Sequence, residues 1–240
     1  MGLRRRGRLR LHHLGVRVHG PGTRAGVPDR TVLAASPAQA VARVIYRAIH
    51  GDVRFRLGGW VLHRSTSPDN PGSVLVAGDP GMPLREAVAL ADEWAGGEVP
   101  LTVVDDDPIV AEAQSVGFEV RTTAVVLVGR LAELVGQPLP DDVSSRSPES
   151  FQVSLPGLAT GRATAKGAWA VIHQIDVTAP NHDNGAARAV VRGLVSIARD
   201  THARHAALVL DTNADLTPYL ADGFVEHHRL IELRRAISAG

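Results

Sequence analysis

Between residues 177 and 191 the chain reads Val-Thr-Ala-Pro-Asn-His-Asp-Asn-Gly-Ala-Ala-Arg-Ala-Val-Val. A mostly apolar segment ends at Val177. A proline and polar residues follow, and Gly185 opens a stretch where Ala187, Val190, Val191, Leu194 and Ala198 recur at helical spacing. The first turn of a helix carries N–H groups without internal acceptors and the positive end of the helix dipole, a pairing that suits an anion such as a phosphate. A glycine there lets a diphosphate approach the main chain with no Cβ in the way. The stretch has no Walker lysine and no G-x-G-x-x-G, so the ATP and dinucleotide fingerprints are absent. The chain has 11 histidines, which raises the question of a metal. His202 and His205 are three apart and His227-His228 are adjacent, but no carboxylate completes either set, so no metal is expected.

These residues need elements to position them. Strands are expected at 53–57, 60–63, 73–77, 101–104, 118–128, 151–155, 158–165, 168–177, 206–210 and 225–233. Helices are expected from Ser36-Pro37 to Gly51, from Pro83 to Gly96-Gly97, at 108–116, from Gly185, and at 218–221. Residues 136–150, GQPLPDDVSSRSPES, read as a linker or exposed connection. An internal repeat emerges on either side of it. Leu101-Thr102-Val103-Val104, a short helix, Gly117-Phe118 and a strand match Leu208-Val209-Leu210, a short helix, Gly223-Phe224 and a strand.

Composition narrows the classes. The 240 residues are 44% hydrophobic and 21% charged, ordinary globular usage that excludes wholesale disorder. With 0 cysteines there is no disulfide framework, thiolate metal site or cysteine nucleophile. No apolar run reaches the roughly 18 residues of a membrane span and no secretory signal is recognisable, so a cytoplasmic protein without membrane association is expected. The net charge of +1 conceals an asymmetry: Arg4, Arg5, Arg6, Arg8, Arg10, Arg17 and Arg24 all precede the first acid, Asp29. Residues 1–30 therefore read as a basic, solvated arm. No aromatic residue interleaves its arginines, which argues against a nucleic-acid partner.

Two sets of residues resemble the GNAT N-acetyltransferase superfamily. His182-x-x-Gly185-x-Ala187 falls in the frame of the family's acetyl-CoA loop. The run Leu208 to Leu210, Asn213, Tyr219 and Gly223-Phe224 follows its second signature. Gly58-Gly59-Trp60, Ser73-Val74-Leu75 and Gly78-Asp79-Pro80-Gly81 resemble the degenerate first half of two-domain members. The resemblance covers roughly residues 31–240. It implies an α/β (α+β) tandem fold with two mixed, twisted sheets flanked by helices: a degenerate half at 31–135, the linker at 136–150 and an acetyl-CoA-binding half at 151–240.

The resemblance further implies direct acetyl transfer from acetyl-CoA to a primary amine of a small molecule or protein, with a catalytically weak acyl-CoA sensor as the alternative. The strand end at Ile175-Asp176-Val177 would splay from its neighbour and pair with the pantetheine arm. His182, Asp183, Asn184, Gly185, Ala186, Ala187 and Arg188 would hold the diphosphate, with Asn213 nearby. His173 or Asp176 would act as base, and Tyr219 would protonate the leaving thiolate. A monomer or homodimer is expected.

Overall fold

The computed structural model describes residues 36–50, 54–57, 60–64, 73–76, 82–105, 108–140, 144–147, 149–178 and 185–235. The basic arm, the expected turns at 58–59 and 78–81, and His182, Asp183 and Asn184 lie outside them.

The first helix, α1 (Pro37–His50), begins at the Ser-Pro pair. The Gln39 N–H donates to Ser36 Oγ and the Ser36 N–H donates to Gln39 Oε1, both at 3.2 Å, a reciprocal cap. Two series of elements with one order follow. The first is β1 (Arg54–Leu57), β2 (Trp60–Arg64), β3 (Ser73–Val76), α2 (Leu84–Ala95), β4 (Leu101–Val104), α3 (Ile109–Ser115) and β5 (Phe118–Arg130). After a short β6 (Ser144–Arg146) comes the second: β7 (Ser150–Leu155), β8 (Ala159–Lys166), β9 (Trp169–Val177), α4 (Ala186–Arg199), β10 (His205–Asp211), α5 (Thr217–Ala221) and β11 (Val225–Arg235).

The strands form a mixed α/β sheet of the expected class, but one sheet instead of two, in the order β1-β2-β3-β4-β11-β5-β10-β9-β8-β7-β6. Parallel pairing occurs at β3/β4 and β9/β10, and the other neighbours are antiparallel. The join arises because the two series exchange their last strands. β5 pairs with β10 of the second series, β11 pairs with β4 of the first, and β5 and β11 pair with each other. At 13 and 11 residues these strands are long enough to serve both sides, and the pairing leaves no open edge in the middle of the sheet.

One face of the sheet is covered by α4, with Val190, Val191 and Leu194 over Leu127, Ile172 and Leu208, and by α2 and α3, with Leu84, Ala87, Ile109 and Ala113 near Leu62, Leu101 and Leu233. On the other face, Val41, Ala42 and Ile45 of α1 pack against Val104, Val126, Val171, Ala207 and Leu230, strands from both series. The alternation along β9 follows from this: Ala170 and Ile172 face α4, and Val171 and His173 face the α1 side.

The expected connection at 136–150 is partly structured. Ser144–Arg146 pair with β7 as an edge strand. The Gln137 N–H donates to the Arg192 carbonyl at 3.0 Å, and Leu139 sits against Gly193 of α4, in space a Cβ would fill. Three residues amid serine and proline are too short for a period-2 pattern to be legible. Among the described residues no helix is long and apolar enough to cross a membrane.

Candidate functional site

The site lies where β9 and β10 part. Their parallel ladder runs His205↔Trp169, Ala206↔Ala170, Ala207↔Val171, Leu208↔Ile172 and stops. Both strands continue, β9 to Val177 and β10 to Asp211, each held by its other neighbour. Asp176 and Val177 pair with Thr160 and Ala159 of β8, and Leu210 and Asp211 pair with Val125 and Ala124 of β5. The facing edges beyond Ile172 and Leu208 therefore open as a V, with β9 backbone groups not used in that ladder.

A bulge accompanies the opening. His173 pairs with Arg162 and Asp176 with Thr160, so Gln174 and Ile175 together oppose Gly161. Gln174 has a φ of 53°, a left-handed conformation that non-glycine residues rarely adopt and that concentrates at functional sites. Gly161 is required here for space. A Cβ would lie 2.5 Å from Val190 Cγ1 and 2.6 Å from Ile175 Cδ1, so its absence lets α4 close on β8 beside the bulge. Ile175 and Val177 are half-buried against that same core.

Helix α4 starts next to this opening in sequence. Gly185 is its N-cap, with a φ of 76° and no side-chain cap. The first internal bond runs from the Ala189 N–H to the Gly185 carbonyl at 3.0 Å, so the amides of Ala187 and Arg188 precede the helical ladder. A Cβ at Gly185 would meet nothing within 4 Å. Glycine is needed there for its conformation. Ala186 is buried, and Ala187 and Arg188 are half-buried.

The Arg188 side chain is committed elsewhere. Its Nε and Nη2 donate to Asp222 Oδ2 and Oδ1 at 3.0 and 2.6 Å, and Arg192 one turn on makes the same fork at 2.9 and 2.7 Å. Asp222 is 1% exposed. Burial alone would raise its pKa, but the hydrogen bonds from Arg188 and Arg192 outweigh that and hold the carboxyl at about 2. The double fork ties the first turns of α4 to the turn after α5, and so to Tyr219. The pattern Arg188-x-x-x-Arg192, two cations on one helix face, was a legible sign of this clamp.

Tyr219 lies on α5, 5% exposed, among the residues packed under α4. Its phenol pKa is raised, first by burial and then by the charges of Asp215 and Asp222, so it stays protonated at neutral pH. The turn behind it is fixed by the Phe224 N–H donating to the Tyr219 carbonyl at 3.2 Å. His173 is 8% exposed, with Thr164 Oγ1 3.4 Å from its Nε2. Asp176 is exposed at the end of β9, and Asn213 is exposed in the turn after β10. His173, Ile175, Asp176 and Val177 thus share the diverging segment of one strand. Among the described residues no group of three or more His, Asp or Glu is arranged to hold a metal ion.

No protein-family model and no curated protein matches the chain. Solved structures do. A GCN5-related N-acetyltransferase from Kribbella flavida is 13% identical, with 84% of this chain and 96% of that one covered and a TM-score of 0.63. A GNAT-family acetyltransferase structure from Novosphingobium aromaticivorans is 14% identical, with 80% and 97% covered at 0.52. A GCN5-related N-acetyltransferase-like protein from Streptococcus suis is 12% identical, with 82% and 98% covered at 0.51. The chain is a mixed α/β protein with a large sheet flanked by helices. Its fold is that of the GNAT N-acetyltransferases.

Proposed function

We propose that the chain is an N-acetyltransferase that moves an acetyl group from acetyl-CoA to a primary amine by direct transfer. The observation that carries this reading is the divergence of β9 from β10 past Ile172/Leu208. It leaves a strand edge for an extended amide-bearing arm, beside a glycine-capped helix start for a diphosphate. Acetyl-CoA supplies the activated acyl thioester. In this reading the β9 edge from His173 to Val177 pairs with the pantetheine amides. His182, Asp183, Asn184, Gly185, Ala186, Ala187 and Arg188 hold the diphosphate, and Asn213 contributes to binding the same cofactor.

The residues divide the proton traffic. His173 or Asp176, directly or through water, takes the proton that the amine loses as its nitrogen bonds to the acetyl carbon. As the carbon–sulfur bond breaks, the Tyr219 O–H gives its proton to the departing thiolate. The Asp222 clamp positions α5 against α4 for that step.

Residues 151–240 carry this site in our reading, and 31–135 form a half that does not bind acetyl-CoA. At the position on β2 that matches Gly161 on β8, the first half has Trp60, 1% exposed, whose indole N–H donates to the Met82 carbonyl at 3.0 Å just ahead of α2. Where Val190 and Ile175 close on Gly161 in the second half, the first half has this ring instead. A second reading, acyl-CoA binding without turnover, draws on Arg188: the one cation in the α4 start is neutralised by Asp222. Calorimetry with acetyl-CoA followed by thiol release on an amine panel decides between them. Binding with turnover supports the enzyme, binding alone the sensor, and no binding refutes both.

A further inference from the structure

On the α1 side of the sheet the strand register sets four polar residues in one row. Ser145 pairs with Gln152, Gln152 with Arg162, and Arg162 with His173. The row crosses β6, β7 and β8 and ends at the β9 residue where the cleft begins. Its two middle members are linked: Arg162 Nε donates to Gln152 Oε1 at 3.2 Å, and Gln152 Nε2 donates in turn to Ser154 Oγ, outside the row, at 3.0 Å. A cavity of about 230 Å³ lies over the far end, lined by Arg162, Gln152, Ser145, Ser150 and Arg146 among others.

The two arginines there differ. Arg146 spends its charge on Asp200 at 3.0 Å. Arg162 is exposed, has a neutral amide as its partner, and among the described residues faces no carboxylate within ion-pairing distance. The bond through Nε fixes the plane of its guanidinium and leaves the Nη edge, the edge that accepts a carboxylate or phosphate in a two-pronged fork. A charge-bearing fork held in place beside a polar cavity, and left without an anion of its own, is built to receive one.

We propose that Arg162 and this cavity form the subsite for an anionic group carried by the acceptor amine. The inference rests on the acetyltransferase reading of the neighbouring cleft. Neighbouring strands lie about 4.8 Å apart, so the cleft edge at β9 and the Arg162 head leaning over β7 are separated by about 10 Å. The acceptor is thus an amine whose carboxylate or phosphate sits about six to eight carbons from its nitrogen. A plain amine would leave the fork empty, and a diamine would place a cation against it.

The test uses the full chain and three matched series of ω-substituted alkyl amines, ending in carboxylate, phosphate or neutral hydroxyl. Thiol release gives kcat/KM, and calorimetry in the presence of CoA gives the affinity of each amine. The anionic series that fits should exceed the hydroxyl series by roughly ten- to a hundredfold, mostly in KM, with an optimum near the spanning length. Arg162→Gln should erase that gain while leaving the hydroxyl series and the acetyl-CoA affinity unchanged. Arg162→Lys, which keeps charge without the fork, should retain part of it. No gain over the hydroxyl series, a gain indifferent to length, or a gain that survives Arg162→Gln would overturn the subsite. Failure of acetyl-CoA to bind would instead refute the acetyltransferase reading, and the affinities would still report on Arg162.

Discussion

Replacing Asp222 by Asn tests the clamp that joins α4 to α5. The carboxylate is 1% exposed and accepts four charge-assisted hydrogen bonds of 2.6 to 3.0 Å. Its pKa falls from 3.8 to about 2, and at about 1.4 kcal/mol per unit the charged form contributes roughly 2 kcal/mol of stability at neutral pH. Asn keeps the shape and loses the charge. The guanidiniums left behind are 33% and 27% exposed, so water recovers part of what they lose. The expected cost is about 2–3 kcal/mol, below the figure for a fully buried pair. For a domain of this size that lowers Tm by about 5–10 °C. Because the folded pKa is depressed, this stability is present above the ordinary carboxyl value and disappears as pH falls from about 4 toward about 2. Denaturant titrations of both proteins between pH 7 and pH 2.5 should show the gap closing over that window. An Asn variant as stable as wild type at pH 7, or a gap independent of pH, would refute the reasoning.

Tyr219→Phe should lower kcat by about 10²- to 10⁴-fold with acetyl-CoA affinity unchanged, measured by thiol release and calorimetry. Since burial and then the neighbouring acids raise the phenol pKa, any alkaline loss of wild-type rate from this group should come at higher pH than for a free tyrosine. Gly161→Val drives methyl groups into Val190 and Ile175 and should cost about 1–3 kcal/mol in urea unfolding while weakening acetyl-CoA binding. Gly185→Ala meets open space but must hold a φ of 76°, so its cost in the same assay should be about 1–2 kcal/mol from conformation alone.

The elements were legible because their signals are local. Ser36-Pro37, Gly96 and Gly223 mark ends, and the apolar spacing of α4 and the Gly-Phe pairs mark the two series. The splay at Ile175 to Val177 followed from the resemblance once the strand before Gly185 was recognised. What escaped is long-range. No local pattern says that β5 and β11 pair with the opposite series, because their apolar alternation suits either neighbour. The bulge at Gln174 depends on register with Gly161. Arg188 read as a backbone contributor to an anion site, whereas its side chain is paired with an aspartate 34 positions away. Arg162 drew no attention in sequence, since an isolated arginine in a strand acquires meaning only from the row that the register builds.

Hydrogen exchange of the full chain with and without acetyl-CoA tests the central claim most directly. The account predicts new protection at the amides of 173–177 and at the start of α4, residues 185–188, with β3, β4 and the start of α2 unchanged. Protection confined to 73–76 and 84–87, or none anywhere at saturating acetyl-CoA, would contradict it.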